Sequence, residues 1–362
     1  MTHTQRLQAA VNGEWLDKPC FAFWGPHYNL EESNAKDLAF GMIAYEEAYD
    51  FDFIKIMESG MYLPEAFGQE MPANQSTAMS AWLNVENWRI NHAKDWLELK
   101  PLKVEDSPVL MREVEVVKRI ADHFQGDVPI LPTAFSPVSA MGEFVGGYFD
   151  QNKLLKLFEY DTALAEHGRA VMEETLINLI NAYLDAGATG IFFGMQNGLN
   201  QKLGYDMFRK YEWASSARVL NAVKDKCQFS MAHLCNGSGE AIDWALDLPC
   251  TAINYADRWS NMPSLGEVRA KTDKVLVGGI KHCPGTLTRL SMNVGGPNDF
   301  SGANRESVKE KLKGRVRSAI EQAGEKLVIA GGCGLGIDER ARFGVFHEVM
   351  DEIAEERAAS EH

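Results

Sequence analysis

GIFFGM (Gly190–Met195) is an apolar run of strand length, a segment of helical period follows over 206–226, and FSMAHLC (Phe229–Cys235) is a second such run. Strand, helix and strand in that order imply two parallel strands joined by a helical crossover, because a helix on the sheet face returns the chain to its starting end. The unit repeats on both sides. Short runs rich in Val, Ile and Phe stand at Cys20–Gly25, Asp52–Met57, Pro129–Ser136, Ala252–Ala256, Val275–Lys281 and Leu327–Gly332. Helical periodicity fills 34–49, 108–124, 161–186, 239–247, 264–271, 304–323 and 338–357.

Eight strands and eight helices in strict alternation predict an α/β fold, a single (β/α)8 TIM barrel. An open doubly wound sheet would place a glycine-rich phosphate turn after its first strand, and here that turn reads Trp24-Gly25-Pro26-His27-Tyr28. One domain is expected over 1–362, with 1–18 as an N-terminal helical extension. Two insertions stand out: 58–107 after strand two, carrying Trp82, Trp88 and Trp96, and 282–303 after strand seven, rich in Gly, Asn and Pro.

The 362 residues are 45% hydrophobic and carry a formal net charge of -15. Such an acidic surface argues against nucleic acid and against a polybasic membrane contact. No apolar run approaches the ~20 residues that a bilayer requires. Met1–Glu14 is polar and lacks the apolar centre of a signal peptide, so a cytoplasmic protein is expected. The six cysteines, at 20, 227, 235, 250, 283 and 333, are too few for a disulfide scaffold and read as packing residues or metal ligands.

In a barrel the chemistry gathers at the carboxyl ends of the strands. His233 and Cys235 are two apart at the end of strand five, so both side chains project to one side. Cys333 ends strand eight at the same rim, between glycines. One nitrogen and two sulfurs suit Zn²⁺, and three protein ligands leave a position open for substrate. On the residues alone, such a set serves packing as readily as ligation, and both readings stay open.

With the segments Tyr45–Met57 (YEEAYDFDFIKIM), Pro132–Gly147 (PTAFSPVSAMGEFVGG), Asp185–Gly194 (DAGATGIFFG) and Ala330–Gly336 (AGGCGLG), this pattern resembles the uroporphyrinogen decarboxylase superfamily. Within it the match is to the zinc-dependent methylcobamide:coenzyme M methyltransferase-like branch. The resemblance implies a (β/α)8 barrel and carries the zinc ligands onto His233, Cys235 and Cys333. It implies a methylcobamide on a corrinoid partner protein as methyl donor, and a small acceptor, a thiol or tetrahydrofolate. The chain departs from the decarboxylases after strand one, where their arginine-rich stretch is missing; this speaks against tetrapyrrole decarboxylation. The acidic residue common at the family's strand-four end is replaced by Met195-Gln196-Asn197, which leaves the fourth zinc position to Gln196, Tyr255, Asp257, water or substrate.

Other rim residues complete the expectation. His27, followed by Tyr28 and Glu31, is a candidate proton shuttle or a hydrogen-bonded loop histidine. Asn254 and Tyr255 point to opposite faces of strand six, so only one of them faces the pocket. Tyr255 and Asp257 are candidates for acid–base work, against a plain salt bridge from Asp257 to Arg258. Gln196, Lys281, His282 and Arg289 are the expected substrate-binding set, the cations suiting an anionic tail. Cys283 lacks paired spacing, and Cys20, Cys227 and Cys250 read as core. The rival functions are a uroporphyrinogen decarboxylase-type lyase, a zinc-dependent thiol addition to an epoxide, and a barrel without catalysis.

Overall fold

The structure is a computed structural model that describes residues 1–15, 17–25, 34–71, 85–145, 152–196, 205–235, 239–281, 299–300, 302–335 and 342–360. Its strands are β1 (Ile54–Lys55), β2 (Ile130–Leu131), β3 (Thr133–Phe135), β4 (Gly190–Met195), β5 (Phe229–Leu234), β6 (Ala252–Asn254), β7 (Val275–Ile280) and β8 (Leu327–Gly331). β3 to β8 form a six-stranded sheet in sequence order, β1 pairs with β2, and every pair is parallel. The fold is therefore α/β, with strands buried on both faces, which is why they read as unbroken apolar runs.

Further backbone hydrogen bonds connect these pieces. Ile329 N–H donates to Cys20 O at 2.8 Å, and Asp52 N–H donates to Phe21 O at 2.9 Å. On the other side, Thr189 N–H reaches Ile130 O at 3.0 Å and Phe192 N–H reaches Pro132 O at 2.9 Å.

Three expected strands are shorter than the sequence suggested. Cys20–Gly25 contributes a single bridge, Phe21 to Ile329, and Asp52–Met57 contracts to Ile54–Lys55. Pro129–Ser136 is split at Pro132, which has no N–H to give to a ladder, although its carbonyl still accepts.

The helices follow their local signals closely. Ser107 caps Pro108–Phe124 by accepting from Leu110 N–H, with proline in the first turn where no donor is needed. Ser264 and Glu267 form a capping box on Leu265–Arg269, and Asn304 caps Arg305–Ala323. The segment expected as one helix over 206–226 is instead interrupted by a π turn, Phe208–Trp213, between Tyr205–Met207 and Ala214–Val223. The helices Tyr62–Ala66, Pro137–Glu143 and Asn152–Tyr160 were not expected. Among the described residues no helix is long and apolar enough to cross a membrane.

The N-terminal extension is the helix His3–Asn12, held by Arg6, whose guanidinium pairs with Asp17 and with the fully buried Asp52. The residues of 58–107 do not all belong to a rim. Trp96 is buried, and a Cβ placed on Gly168 would lie 2.6 Å from its ring, so that indole is core. Trp88 is half-buried, and Trp82 lies outside the described residues.

Candidate metal centre

The register of the sheet sets the site. His233 on β5 lies opposite Asn254 on β6, and Cys235 follows two residues beyond on the same side. Cys333 is brought alongside by the turn after β8. A Cβ on Gly332 would stand 2.3 Å from Ala256 Cα, so only glycine lets that turn approach the end of β6. The His233 nitrogen and the two sulfurs all lie within 4.8 Å of one another, with His233 buried and both cysteines half-buried.

Asn254 fixes which histidine nitrogen is presented. Its Nδ2 donates to Val277 O at 2.8 Å and to Gly331 O at 3.1 Å, and carbonyls can only accept. The amide oxygen therefore faces His233, 2.5 Å from Nδ1, which must carry the proton. Nε2 is left with its lone pair toward the cysteines, as a metal-binding imidazole needs. Phe192 backs the imidazole, ring centroids 4.8 Å apart. The donor set and the tautomer thus fit a zinc ion.

Removing the Asn254 amide should weaken metal binding while leaving the three ligands intact. Asn254→Ala is expected to cost about 10–100-fold in zinc affinity, measured by competition with a chromophoric chelator. An unchanged affinity would show that the tautomer is held by something else.

The other expected site residues separate into groups. Tyr255 is turned away from the cluster: it is fully buried, and its hydroxyl donates to Ser264 O at 3.3 Å, at the start of an outer helix. Of the two alternating residues it is Asn254 that faces the pocket. Asp257 is also apart from the cluster, Oδ1 accepting from Gly279 N–H at 3.0 Å and Oδ2 standing 3.5 Å from Arg258 Nε. Burial raises its carboxyl to about 6 against these bonds. Gln196, just past β4, is half-buried, and its N–H donates to Ser139 Oγ at 2.8 Å. Lys281, past β7, gives its N–H to Asp299 Oδ2 at 2.8 Å. His27, Tyr28, Glu31, His282, Cys283 and Arg289 lie outside the described residues. Cys20, Cys227 and Cys250 are buried, and desolvation raises all three thiols, the latter two to about 11.

Two groups near the strand ends were not foreseen. Lys55 is buried on β1 with its ammonium 4.7 Å from the Phe192 ring centroid. Its signal was a lysine at an alternating position in an otherwise apolar run, FDFIKIM. Glu212 sits in the π turn, fully buried, with Oε2 lacking a hydrogen bond. No periodicity argument could have found it, because a π turn carries no sequence period of its own.

Burial raises the Glu212 carboxyl to about 7, partly offset by the Ser136 and Ser216 hydroxyls. A carboxyl so raised contributes stability that is complete below its unfolded value and is lost as pH rises through the folded one. Glu212→Gln, which resembles the protonated form at every pH, should therefore gain on the wild type at high pH. Its melting temperature relative to wild type is expected to be ~2 °C higher at about pH 8.5 than at about pH 5. The same difference at both pH values would contradict this.

Comparison with known proteins agrees with the architecture. The uroporphyrinogen decarboxylase (URO-D) family model matches residues 31–295. A methyltransferase from Methanosarcina mazei superposes with a TM-score of 0.70 at 20% identity, covering 98% of this chain and 99% of that one. A B12-independent methionine synthase from Shewanella sp. W3-18-1, in complex with selenomethionine, gives 0.53 at 14% identity, with 94% and 98% covered. At these identities the two likenesses are of fold. No curated protein matches the sequence.

Proposed function

Because this chain belongs to the uroporphyrinogen decarboxylase family, we propose that it is a cytoplasmic zinc-dependent methyltransferase acting from a methylated corrinoid protein onto a small thiol. The observation that carries this reading is the cluster of His233, Cys235 and Cys333, with the histidine tautomer set by Asn254. Zinc held there would supply the positive charge that keeps an acceptor thiol deprotonated at neutral pH. The chain's own part is to present Nε2 and two sulfurs on one side and to leave the other side open to the acceptor. In the transfer, the acceptor sulfur's electron pair forms the S–CH3 bond, and the cobalt–carbon bond breaks with its pair remaining on cobalt. The thiol proton goes to solvent.

We place this chemistry on a single (β/α)8 barrel with insertions after its second and seventh strands. The hydrogen bonds from β8 through Cys20–Ala22 and Asp52, and from β2 to the start of β4, support that closure. Lys281, with His282 and Arg289 of the 282–303 segment, forms the proposed grip on an anionic tail, and Gln196 lines the opposite strand end.

The test is loss of the methyl–cobalt spectrum of methylcobalamin with a panel of thiols and with tetrahydrofolate. Zinc-dependent demethylation with at least one thiol is expected, and none with any acceptor would refute the reading. In the same preparation uroporphyrinogen should not be decarboxylated above background.

A further inference from the structure

Among the described residues two cations are buried, Arg6 and Lys55. Arg6 is engaged by Asp17 and Asp52 and ties down the N-terminal helix. Lys55 has a different setting. It projects from β1 with its Nζ 3.1 Å from Met57 Sδ and 4.7 Å from the centre of Phe192, the ring that packs against His233. Its charge reaches the metal cluster, where it favours the ionised form of Cys333. The nearby Glu58 carboxyl is raised to about 8, chiefly by burial, so at neutral pH it adds little negative charge there.

A charge count gives this lysine a task. Two cysteinates and one divalent cation make a neutral centre, and an acceptor thiolate brings one more negative charge into a site largely shielded from water. An unbalanced charge there is costly. We infer that the Lys55 ammonium is the counter-charge for the acceptor thiolate at the His233–Cys235–Cys333 centre, a positioning residue that favours thiolate binding whatever the acceptor's tail. This rests on the methyltransferase reading. It differs from the tail grip assigned to Lys281, His282 and Arg289, because a counter-charge acts on the sulfur end common to every acceptor.

The experiment is thiol binding to the cobalt(II)-loaded full-length protein, read by the sulfur-to-cobalt charge-transfer absorption and needing no turnover. The probes are 2-mercaptoethanol, with a neutral tail, and 3-mercaptopropionate, with an anionic one. Lys55→Met should keep its metal and weaken both thiols alike, by about tenfold, while Lys55→Arg should stay within about threefold of wild type. Should Lys55→Met not fold, Lys55→Gln carries the same expectation. Wild-type affinity for both thiols in the neutral variant would overturn the assignment. Weakening confined to 3-mercaptopropionate would overturn it too, by making Lys55 a tail contact. A wild-type protein that takes up cobalt but shows no thiol-dependent change would overturn this inference and the methyltransferase reading together.

Discussion

Replacing Cys333 by serine is expected to reduce the zinc content of the purified protein from about one ion per chain to near zero, with affinity falling on the order of a thousandfold. A serine hydroxyl stays protonated at neutral pH and is a hard ligand, so the centre would keep only His233 and Cys235. Two ligands on one strand cannot enclose a tetrahedral ion. Cys235→Ser should behave likewise, because either change leaves one nitrogen and one sulfur. Cys250→Ser is the control: that thiol is buried behind β6, outside the cluster, and its loss should leave zinc unchanged. Mass-spectrometric metal analysis of the three variants decides the matter, and stoichiometric zinc in both Cys333→Ser and Cys235→Ser would remove the centre from the account.

The second large effect concerns the seam where the chain's beginning meets β8. Asp52 is fully buried and gathers three partners: Phe21 N–H donates to Oδ2 at 2.8 Å, His3 Nδ1 stands 3.2 Å from Oδ1, and the Arg6 guanidinium pairs with Oδ1. Asp52→Ala would leave Arg6 with the half-exposed Asp17 alone and strand a buried backbone donor. Removing one partner of a buried pair in this way costs ~3–5 kcal/mol. Urea unfolding should show a correspondingly lower midpoint with little change in slope. A loss below ~1 kcal/mol would mean that the seam is held by its apolar packing, in which Phe21 and Phe23 meet Phe346.

What the sequence disclosed and what it concealed have separate physical causes. The central strands were legible because a parallel sheet covered on both faces must be apolar throughout, as in GIFFGM and FSMAHLC. Helix starts were legible where a capping residue stands at the boundary, as at Ser107, Ser264 and Asn304. The early strands were overestimated because an apolar run says nothing about pairing. Cys20–Gly25 is as apolar as the others yet makes one bridge, and Pro132 interrupts a ladder it cannot serve.

In the site, His233 and Cys235 shared a side by strand alternation, and Cys333 shared their rim by its place at a strand end. Alternation also showed that Asn254 and Tyr255 must diverge, but could not tell which turns inward. That depends on the amide's hydrogen bonds to Val277 and Gly331, contacts across 23 and 77 residues of sequence. Asp257 illustrates the same limit, since its partner Gly279 is 22 residues away and on another strand. Lys55 and Glu212 escaped notice because their importance lies in what surrounds them.

The account's central claim is that His233, Cys235 and Cys333 together hold one zinc ion with room for an acceptor thiol. X-ray absorption at the zinc edge tests it most directly, on the wild-type protein with and without a thiol such as 3-mercaptopropionate. The account predicts a resting shell with two sulfurs and a nitrogen-type donor, and one further sulfur once the thiol is added. A shell without sulfur, or a sulfur count that the thiol leaves unchanged, would contradict it.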